Sequence, residues 1–387
     1  MKKKLFRKID EIATELKEMS DRIYDNPELC FEEVFASNLL ESYLEKNEFI
    51  VERGLGNLQT AFRASYRNGK SLYNIGLLCE YDALPMGHGC GHQMQGPAIL
   101  GAAVAIKEII SDLPLNLIVY GTPAEEGGGG KLKMLDQGFL KELDVALMMH
   151  GGPATQVDVR SMAMSSQRVE FFGESSHAAL KPDQGRSALD ALLLSFQGIE
   201  FLREHVLEDT RMHYTIESSP GPANVIPDHA VGLFALRSYN SKYLDSLVDR
   251  FEKVIHGAAT MTETNYKIVE QKRLESKIPS YVLNEIMMKN ARLIGAPNIK
   301  AAREKTGSTD FGNVTYILPG SCIRVSFVPD GTPSHSQTFL DYGKTKEAHD
   351  CVIYAAKILA GTVHDLIKDE SLIAKAKEEF AEYKANM

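Results

Sequence analysis

The segment Glu80-Tyr-Asp82-Ala-Leu-Pro85-Met-Gly-His88-Gly-Cys90-Gly-His92 packs two carboxylates, two imidazoles and one thiol into thirteen residues. Thiolate and imidazole are ligands for zinc, and imidazole also suits other late first-row metals. Glycines flank both His88 and Cys90, so the backbone can turn sharply and approach an ion closely. A second cluster, Thr122-Pro-Ala-Glu125-Glu126, runs directly into four glycines. Adjacent carboxylates on one loop can divide labour, one binding metal while its neighbour acts as general base. Two further imidazoles, His150 and His335, complete the inventory. Singly, each residue has an ordinary structural reading: a hydrogen-bonded histidine after a strand, a small buried thiol, a solvated acidic pair. Together they argue for a metal centre. Two rival readings use the same residues. Cys90 could be a nucleophile paired with His88 or His92, but a thiol nucleophile needs one base and an oxyanion hole, not two glutamates and two more histidines. A closed structural zinc site favours four Cys or His ligands at short spacing, whereas this set includes carboxylates and spans most of the chain.

The elements that must position these residues are visible as short apolar runs. Asn74 to Cys79, Leu115 to Tyr120 and Val145 to Met149 read as strands, ending at Glu80, near Glu125 and Glu126, and at His150. Pro97 to Ile110 reads as a small-residue helix between the first two. Continuous apolar strands alternating with helices mean a buried, mainly parallel sheet, and ligands of such sheets sit at the carboxyl ends of the strands. Ahead of them, Lys3 to Glu45 reads as two helices separated by the turn signal Asp25-Asn26-Pro27. The middle third changes rhythm. Strands are expected at Arg168 to Phe172, Met212 to Glu217, Ala230 to Arg237 and Thr260 to Val269, with helices at Arg186 to Glu204 and Lys242 to His256. That β-α-β-β-α-β order is a ferredoxin-like unit. The final third returns to the first pattern, with a helix from Ser280 to Leu293, a Gly307 to Asp310 loop, strands near Tyr316 and at Ile323 to Phe327, and helices from Lys344. The expected fold class is therefore α/β: a mainly parallel-sheet catalytic domain, 1–165 and 274–387, interrupted by a smaller α+β domain, 166–273.

Composition limits the alternatives. A length of 387 residues is long for one core and suits two domains. Charged residues at 25% and hydrophobic residues at 44% describe a globular chain, not a disordered one. The net charge of −9 and the lack of a basic block argue against nucleic acid as a partner. No run of about 18 apolar residues is present, so no membrane span is expected. The basic start MKKKLFRKID is followed by no apolar run, so it does not read as a signal peptide. Five irregularly spaced cysteines give no disulfide framework and fit a reducing cytoplasm.

The motifs as a set resemble the co-catalytic metallopeptidases and amidohydrolases of the aminoacylase, carboxypeptidase G and succinyl-diaminopimelate desuccinylase superfamily. The resemblance starts at Asn26-Pro27-Glu28-Leu29 with Glu32-Glu33. It runs through EYDALP, GHGCGH, TPAEEGGGG, SSHAA, NVIPDHAVGLFALR and GSTDFGNV to SHS, and so spans nearly the whole chain. The branch it is most similar to holds aminobenzoyl-glutamate hydrolases, N-acyl-amino-acid hydrolases and aminoacylase-like dipeptidases.

That resemblance implies two divalent ions, Zn, Mn or Co, held by Cys90, His92, Glu126, His150 and His335. Cys90 stands where many relatives carry a bridging aspartate. Relatives also carry a histidine where this chain has Glu80, and His92 would replace it, with Asp82 behind it orienting the ring. Glu125 matches the general base. His177 matches a histidine that, in dimeric relatives, reaches across to the partner's active site and polarises the scissile carbonyl. Asn224 and Arg237 match substrate-holding residues, the guanidinium suiting a carboxylate. The implied activity is hydrolysis of an amide or peptide bond in a small carboxylate-bearing substrate: an N-acyl amino acid, a dipeptide or an aminobenzoyl-glutamate-like conjugate. The interrupting domain would serve as lid and dimerisation surface of a cytoplasmic homodimer. A carbamoyl or aryl-amine substrate, or a non-catalytic metal-binding or regulatory protein on the same scaffold, are the alternative readings. The chain departs from the branch at Gln93, where Asp or Asn is usual after Cys-Gly-His.

Overall fold

The computed structural model describes residues 1–386. The chain forms two compact units, Met1–Arg160 with Lys277–Met387, and Ser161–Ser276.

The first unit opens with three helices, α1 (Lys2–Glu11), α2 (Ala13–Tyr24) and α3 (Val34–Lys46), and a hairpin, β1 (Ile50–Leu55) and β2 (Leu58–Asn68). It continues through β3 (Asn74–Cys79), α4 (Gln95–Ile109), β4 (Leu115–Gly121), α5 (Gly130–Asp136), β5 (Val145–Gly152) and β6 (Gln156–Ser161). The second unit holds β7 (Ala163–Phe172), α6 (Ala188–Leu202), β8 (Arg211–Ser218), β9 (His229–Ser238), α7 (Ser241–Thr262) and β10 (Asn265–Leu274). The chain then returns to the first unit with α8 (Tyr281–Leu293), β11 (Arg303–Thr306), α9 (Phe311–Thr315), β12 (Gly320–Ser326), α10 (Gln337–Asp341), α11 (Lys346–Lys368) and α12 (Ser371–Ala385).

In the first unit eight strands form one sheet, in the order β1-β2-β4-β3-β5-β12-β6-β11. Its centre, β4-β3-β5-β12, is parallel, and β2 and β6 join it antiparallel on either side. The central strands are apolar throughout because both faces are covered. From Ile75 to Cys79 every residue of β3 is buried. Helix α4 is buried on all sides from Gln95 to Ile106, packing against α11, α1 and α2 as well as the sheet, so small residues such as Gly96 and Gly101 fill its contacts. At Gly101 a Cβ would come within 2.5 Å of Leu16 Cδ1, so a larger residue there would require the Leu16 side chain to shift. Because β3, β4 and β5 run parallel, the segments that follow them leave from one edge of the sheet. That edge therefore receives Glu80–Asp82, Thr122–Glu126 and His150.

The second unit is a four-stranded antiparallel sheet, β10-β7-β9-β8. Alternate residues of β7, from Ala163 to Phe171, are buried, and they share a core with Leu192, Phe196, Phe234 and Phe251 from α6, β9 and α7. Phe234 and Phe251 meet edge to face at 5.0 Å. Ser187 caps α6 by accepting from the Asp190 amide, and Asn240 caps α7 through the Tyr243 amide.

Three local expectations differ. The opening segment holds three helices, not two, because Ile12 interrupts the first run with φ −96° and ψ 5°. Tyr316 is not in a strand: it closes the turn of α9, where its amide donates to Gly312 O, and Pro319 precedes the strand that starts at Gly320. The last strand of the second unit starts at Asn265, not Thr260, because α7 continues to Thr262 and ends on the left-handed Glu263. The sequence signals neither the hairpin β1–β2 nor the short strands β6 and β11.

Candidate active site

The loop after β3 brings the first ligands in. Gly91 sits at φ +85°, a left-handed conformation that lets the chain reverse between Cys90 and His92. Both are buried. His92 Nδ1 lies 3.1 Å from Asp82 Oδ1 and 3.1 Å from Asp82 O, which fixes the ring and leaves Nε2 pointing into the site. The other oxygen of Asp82, Oδ2, accepts from the Glu126 amide at 2.9 Å, so one carboxylate holds both the His92 ring and the Glu125–Glu126 turn. The glycine run after that turn is required by space: a Cβ on Gly130 would lie 1.8 Å from Pro123 O.

From β5, His150 Nδ1 donates to Gly151 O at 2.7 Å, and its Nε2 faces Cys90 Sγ at 3.5 Å. The His92 and His150 rings meet edge to face at 5.5 Å. His335 stands at φ +63°, its amide held by Gly89 O, and its Nε2 is 3.3 Å from Glu126 Oε1. The donor atoms of Cys90, His92 and His150 all lie within 4.8 Å of one another, and so do those of Cys90, Glu126 and His335. Two triads thus share one thiol. Glu126 Oε1 is buried yet accepts no hydrogen bond, an expensive state for a carboxylate oxygen unless a cation meets it. One thiol, three imidazoles and a carboxylate match the donor preferences of late divalent metals.

Electrostatics divide the acids of the site. Burial pushes the Glu125 carboxyl up, reinforced by Glu80 and Asp310, to well above the usual carboxylate range. Burial also pushes Glu80 up, but Lys131, His92 and His150 outweigh it and hold Glu80 below its ordinary value. Burial opposes the protonation of His92, yet Cys90, Asp82 and Glu80 raise it well above an ordinary imidazole. For His150 burial and the Arg324 guanidinium act together and bring it down to about 3. Without an ion nearby, burial drives the Cys90 thiol up to about 12, so a bound cation, not the apo environment, is what would ionise it.

Three further groups shape this edge and went unassigned in the sequence. Lys131 of α5 is fully buried and bridges Glu80 Oε1 at 2.6 Å and Asp310 Oδ1 at 2.7 Å. The carboxylates of Glu80, Glu125 and Asp310 also lie within 4.8 Å of one another, but the ammonium already supplies a cation there. Asp310 closes the Gly307–Asp310 loop, whose role the sequence left open. Behind His150, Arg324 Nη1 lies 3.1 Å from the ring, and Asp158 pairs with both Arg324 and Arg303. The strand register, which sets Arg324 opposite His150, is the only signal for this contact, and it exists only once β12 is paired with β5. His88 turns away from the triads: its Nε2 lies 3.1 Å from Ile23 O, and burial brings it down to about 4. Gln93 donates to Gly343 O at 3.2 Å while Asp82 orients His92.

The second unit carries His177, Asn224 and Arg237. His177 and Val225 form an isolated antiparallel bridge, and the Ala178 amide donates to Asn224 O at 3.0 Å, so His177 and Asn224 lie side by side on exposed loops. Arg237 lies on β9 opposite Met164 and Arg211, half-buried, and burial lowers its guanidinium pKa.

Comparison with known proteins adds an independent line. The model of the family described as Peptidase family M20/M25/M40 matches residues 80–360. One of the polypeptides of the p-aminobenzoyl-glutamate hydrolase of Escherichia coli is 32% identical over 94% of this chain and 91% of its own length. The Xaa-Arg dipeptidase of Mus musculus is 30% identical over 98% of this chain and 92% of its own. Among solved structures, the YXEP protein of Bacillus subtilis, described as a dinuclear metal binding peptidase, superposes with a TM-score of 0.72 at 18% identity, covering 93% of this chain and 99% of that one. The aminobenzoyl-glutamate utilization protein of Klebsiella pneumoniae superposes with a TM-score of 0.74 at 18% identity, covering 93% and 98%.

Proposed function

The chain belongs to peptidase family M20/M25/M40 and is a metal-dependent hydrolase of amide or peptide bonds, and on that premise we propose how its own residues do the work. Cys90, His92 and His150 would hold one divalent ion, and Cys90, Glu126 and His335 would hold a second. The single observation carrying this reading is the pair of triads joined through Cys90, with Glu125 next in sequence to a ligand. When bound, the ions supply Lewis acidity: they polarise an amide carbonyl and make water a better nucleophile near neutral pH.

Glu125 takes the proton of the attacking water and passes it to the leaving nitrogen. Its placement suits both steps, since its carboxylate, the His92 imidazole and the Glu126 carboxylate each have a donor atom within 4.8 Å of the others, beside the place an ion would take. Asp82 keeps the His92 ring and the Glu126 amide in register, so the two carboxylates of the turn hold different roles. Arg237 receives the carboxylate of the substrate, Asn224 its neighbouring polar groups, and His177 polarises the scissile carbonyl across a homodimer whose lid and dimerisation surface is the unit Ser161–Ser276. The substrate is a small carboxylate-bearing amide: an N-acyl amino acid, a dipeptide or an aminobenzoyl-glutamate-type conjugate, in keeping with the activities named for the relatives. The ions are Zn, Mn or Co, and the enzyme works in the cytoplasm. No helix among the described residues is long and apolar enough to cross a membrane.

The test strips the protein of metal, reloads it separately with Zn, Mn and Co, and assays amine release from a panel of N-acyl amino acids, dipeptides and aminobenzoyl-glutamate. Glu125→Gln should keep two ions per chain and lose about 10²–10⁴-fold in kcat, the usual contribution of a positioned acid–base group. Retained turnover in that variant would remove Glu125 from the mechanism.

A further inference from the structure

Two non-glycine residues beside the site hold left-handed backbone: Phe31 at φ +65° and Ala124 at φ +59°. They are 93 positions apart in the chain, yet one oxygen serves both. Glu33 Oε1 accepts from the Phe31 amide at 2.9 Å and from the Ala124 amide at 2.9 Å. Its other oxygen, Oε2, accepts from Thr60 Oγ1 at 2.8 Å. Glu33 is wholly buried, so no water competes for these bonds. The left-handed region costs an L-residue with a Cβ about 1–2 kcal/mol, and such strain persists only where the surroundings enforce it. Ala124 immediately precedes Glu125. Its carbonyl in turn accepts from the Gly128 amide at 3.1 Å, so this residue's conformation sets how the chain enters and leaves Glu125. Space around it is closed: a Cβ on Gly128 would meet the Phe31 ring at 2.2 Å and Ala124 Cβ at 2.7 Å.

We infer that Glu33 is a positioning residue for hydrolysis: by accepting from the Ala124 and Phe31 amides it locks the left-handed turn that aims Glu125 at the reacting water. The inference rests on the assignment of Glu125 as the base. What the turn needs from Glu33 is an acceptor at a fixed place, not a charge. A protonated Glu33, or a glutamine, keeps one oxygen for both amides and can donate to Thr60 Oγ1 in place of accepting. Glutamate at this position is thus tolerant of its own protonation, which matters because burial pushes it up to about 7. The Glu126 amide has a separate anchor on Asp82, so metal binding should survive loss of the Glu33 contact better than base alignment does.

The experiment uses the full chain loaded with two ions and compares Glu33→Gln, Glu33→Asp and Glu33→Leu, with kcat expressed per folded, metal-loaded chain. Glu33→Leu removes both bonds, and Glu33→Asp keeps the charge but falls one methylene short of Ala124. Both should lower kcat by about 10²-fold, the penalty of roughly an ångström of misplacement, with KM within about threefold and metal content unchanged. Glu33→Gln should return kcat to within about fivefold of the parent. Normal kcat in Glu33→Asp, or in a folded Glu33→Leu, overturns the inference. So does a Glu33→Gln as impaired as Glu33→Asp, because that outcome makes charge the requirement. Should Glu33→Leu fail to fold, Glu33→Asp and Glu33→Gln still decide it. The Glu125→Gln result keeps the two proposals apart: if that variant is inactive while Glu33→Asp turns over normally, only the present inference falls.

Discussion

Replacing Lys131 by methionine removes a buried cation from between two buried carboxylates and nearly conserves volume. In the parent, Glu80 and Asp310 each place an oxygen within 2.7 Å of the ammonium. Losing one partner of such an assembly leaves uncompensated buried charge, at a cost of about 3–5 kcal/mol. The unit that contains it, Met1–Arg160 with Lys277–Met387, has about 270 residues, and unfolding entropy of about 2.1 cal/mol/K per residue converts that cost into a Tm drop of about 5–9 °C. The pH dependence is a sharper test. In the parent, Glu80 is held below its unfolded value, so its contribution is complete above the unfolded pKa and is lost only in strong acid. In Lys131→Met both carboxylates lose their nearest cation and are expected to rise, Glu80 against the remaining pull of His92 and His150. Their penalty is then largest at high pH and shrinks as they take up protons, so the gap between variant and parent narrows from pH 8 to pH 5. Calorimetry on metal-free protein at both pH values reads this directly. A Tm drop below 2 °C at pH 8, or a gap that stays constant to pH 5, would refute the claim that the ammonium offsets two buried charges. Adding Glu80→Gln to the variant should recover about half of the loss.

Three other outcomes follow from the geometry. His88 is buried neutral, at about 4 against 6.5, so the unfolded chain binds more protons between those values and stability falls as pH drops through that window. Urea unfolding of the metal-free parent should lose about 2 kcal/mol more between pH 7.5 and 5 than His88→Gln does, and equal slopes would exclude the assignment. Gly130→Ala places a methyl where Pro123 O stands, so the acidic turn must shift; about 1–3 kcal/mol of stability and at least about tenfold in kcat should go, checked by thermal melts and steady-state rates. Cys90→Ser replaces the shared thiol with a hydroxyl that ionises far less readily, and elemental analysis after dialysis should find at most one ion per chain.

Much of this site is legible in the sequence because its chemistry is local. Cys90, His92 and Asp82 fall within eleven residues, and Glu125 and Glu126 are adjacent. The strands carrying them are apolar on both faces, which is why Asn74–Cys79 can be delimited without any knowledge of its pairing. What the sequence hides are the contacts that exist only after folding. Lys131 reads as an ordinary helical lysine behind a glycine run, and its partner Asp310 lies 179 residues away. Glu33 reads as one of two acidic residues in a loop, and its bond to Ala124 spans 91 residues. His88 shows the converse: composition puts it in the metal cluster, but its ring turns to Ile23 O and stacks with Tyr24 at 6.3 Å. Spacing reports which residues share a loop, not which way each ring faces.

The two triads differ in how they meet solvent. Cys90 and His92 are buried, whereas the His335 side chain is 50% exposed and rides on a loop in left-handed conformation. On the proposed assignment, an ion at the outer triad, whose His335 stands half in solvent, would exchange faster than one at the inner triad. The two positions would then keep different records of their surroundings. The outer position would follow the free metal pool more closely, and the inner one would keep an earlier metal for longer. A single preparation moved from one metal buffer to another would pass through a mixed population before it became uniform, so the history of a sample, as well as its present buffer, would set its composition.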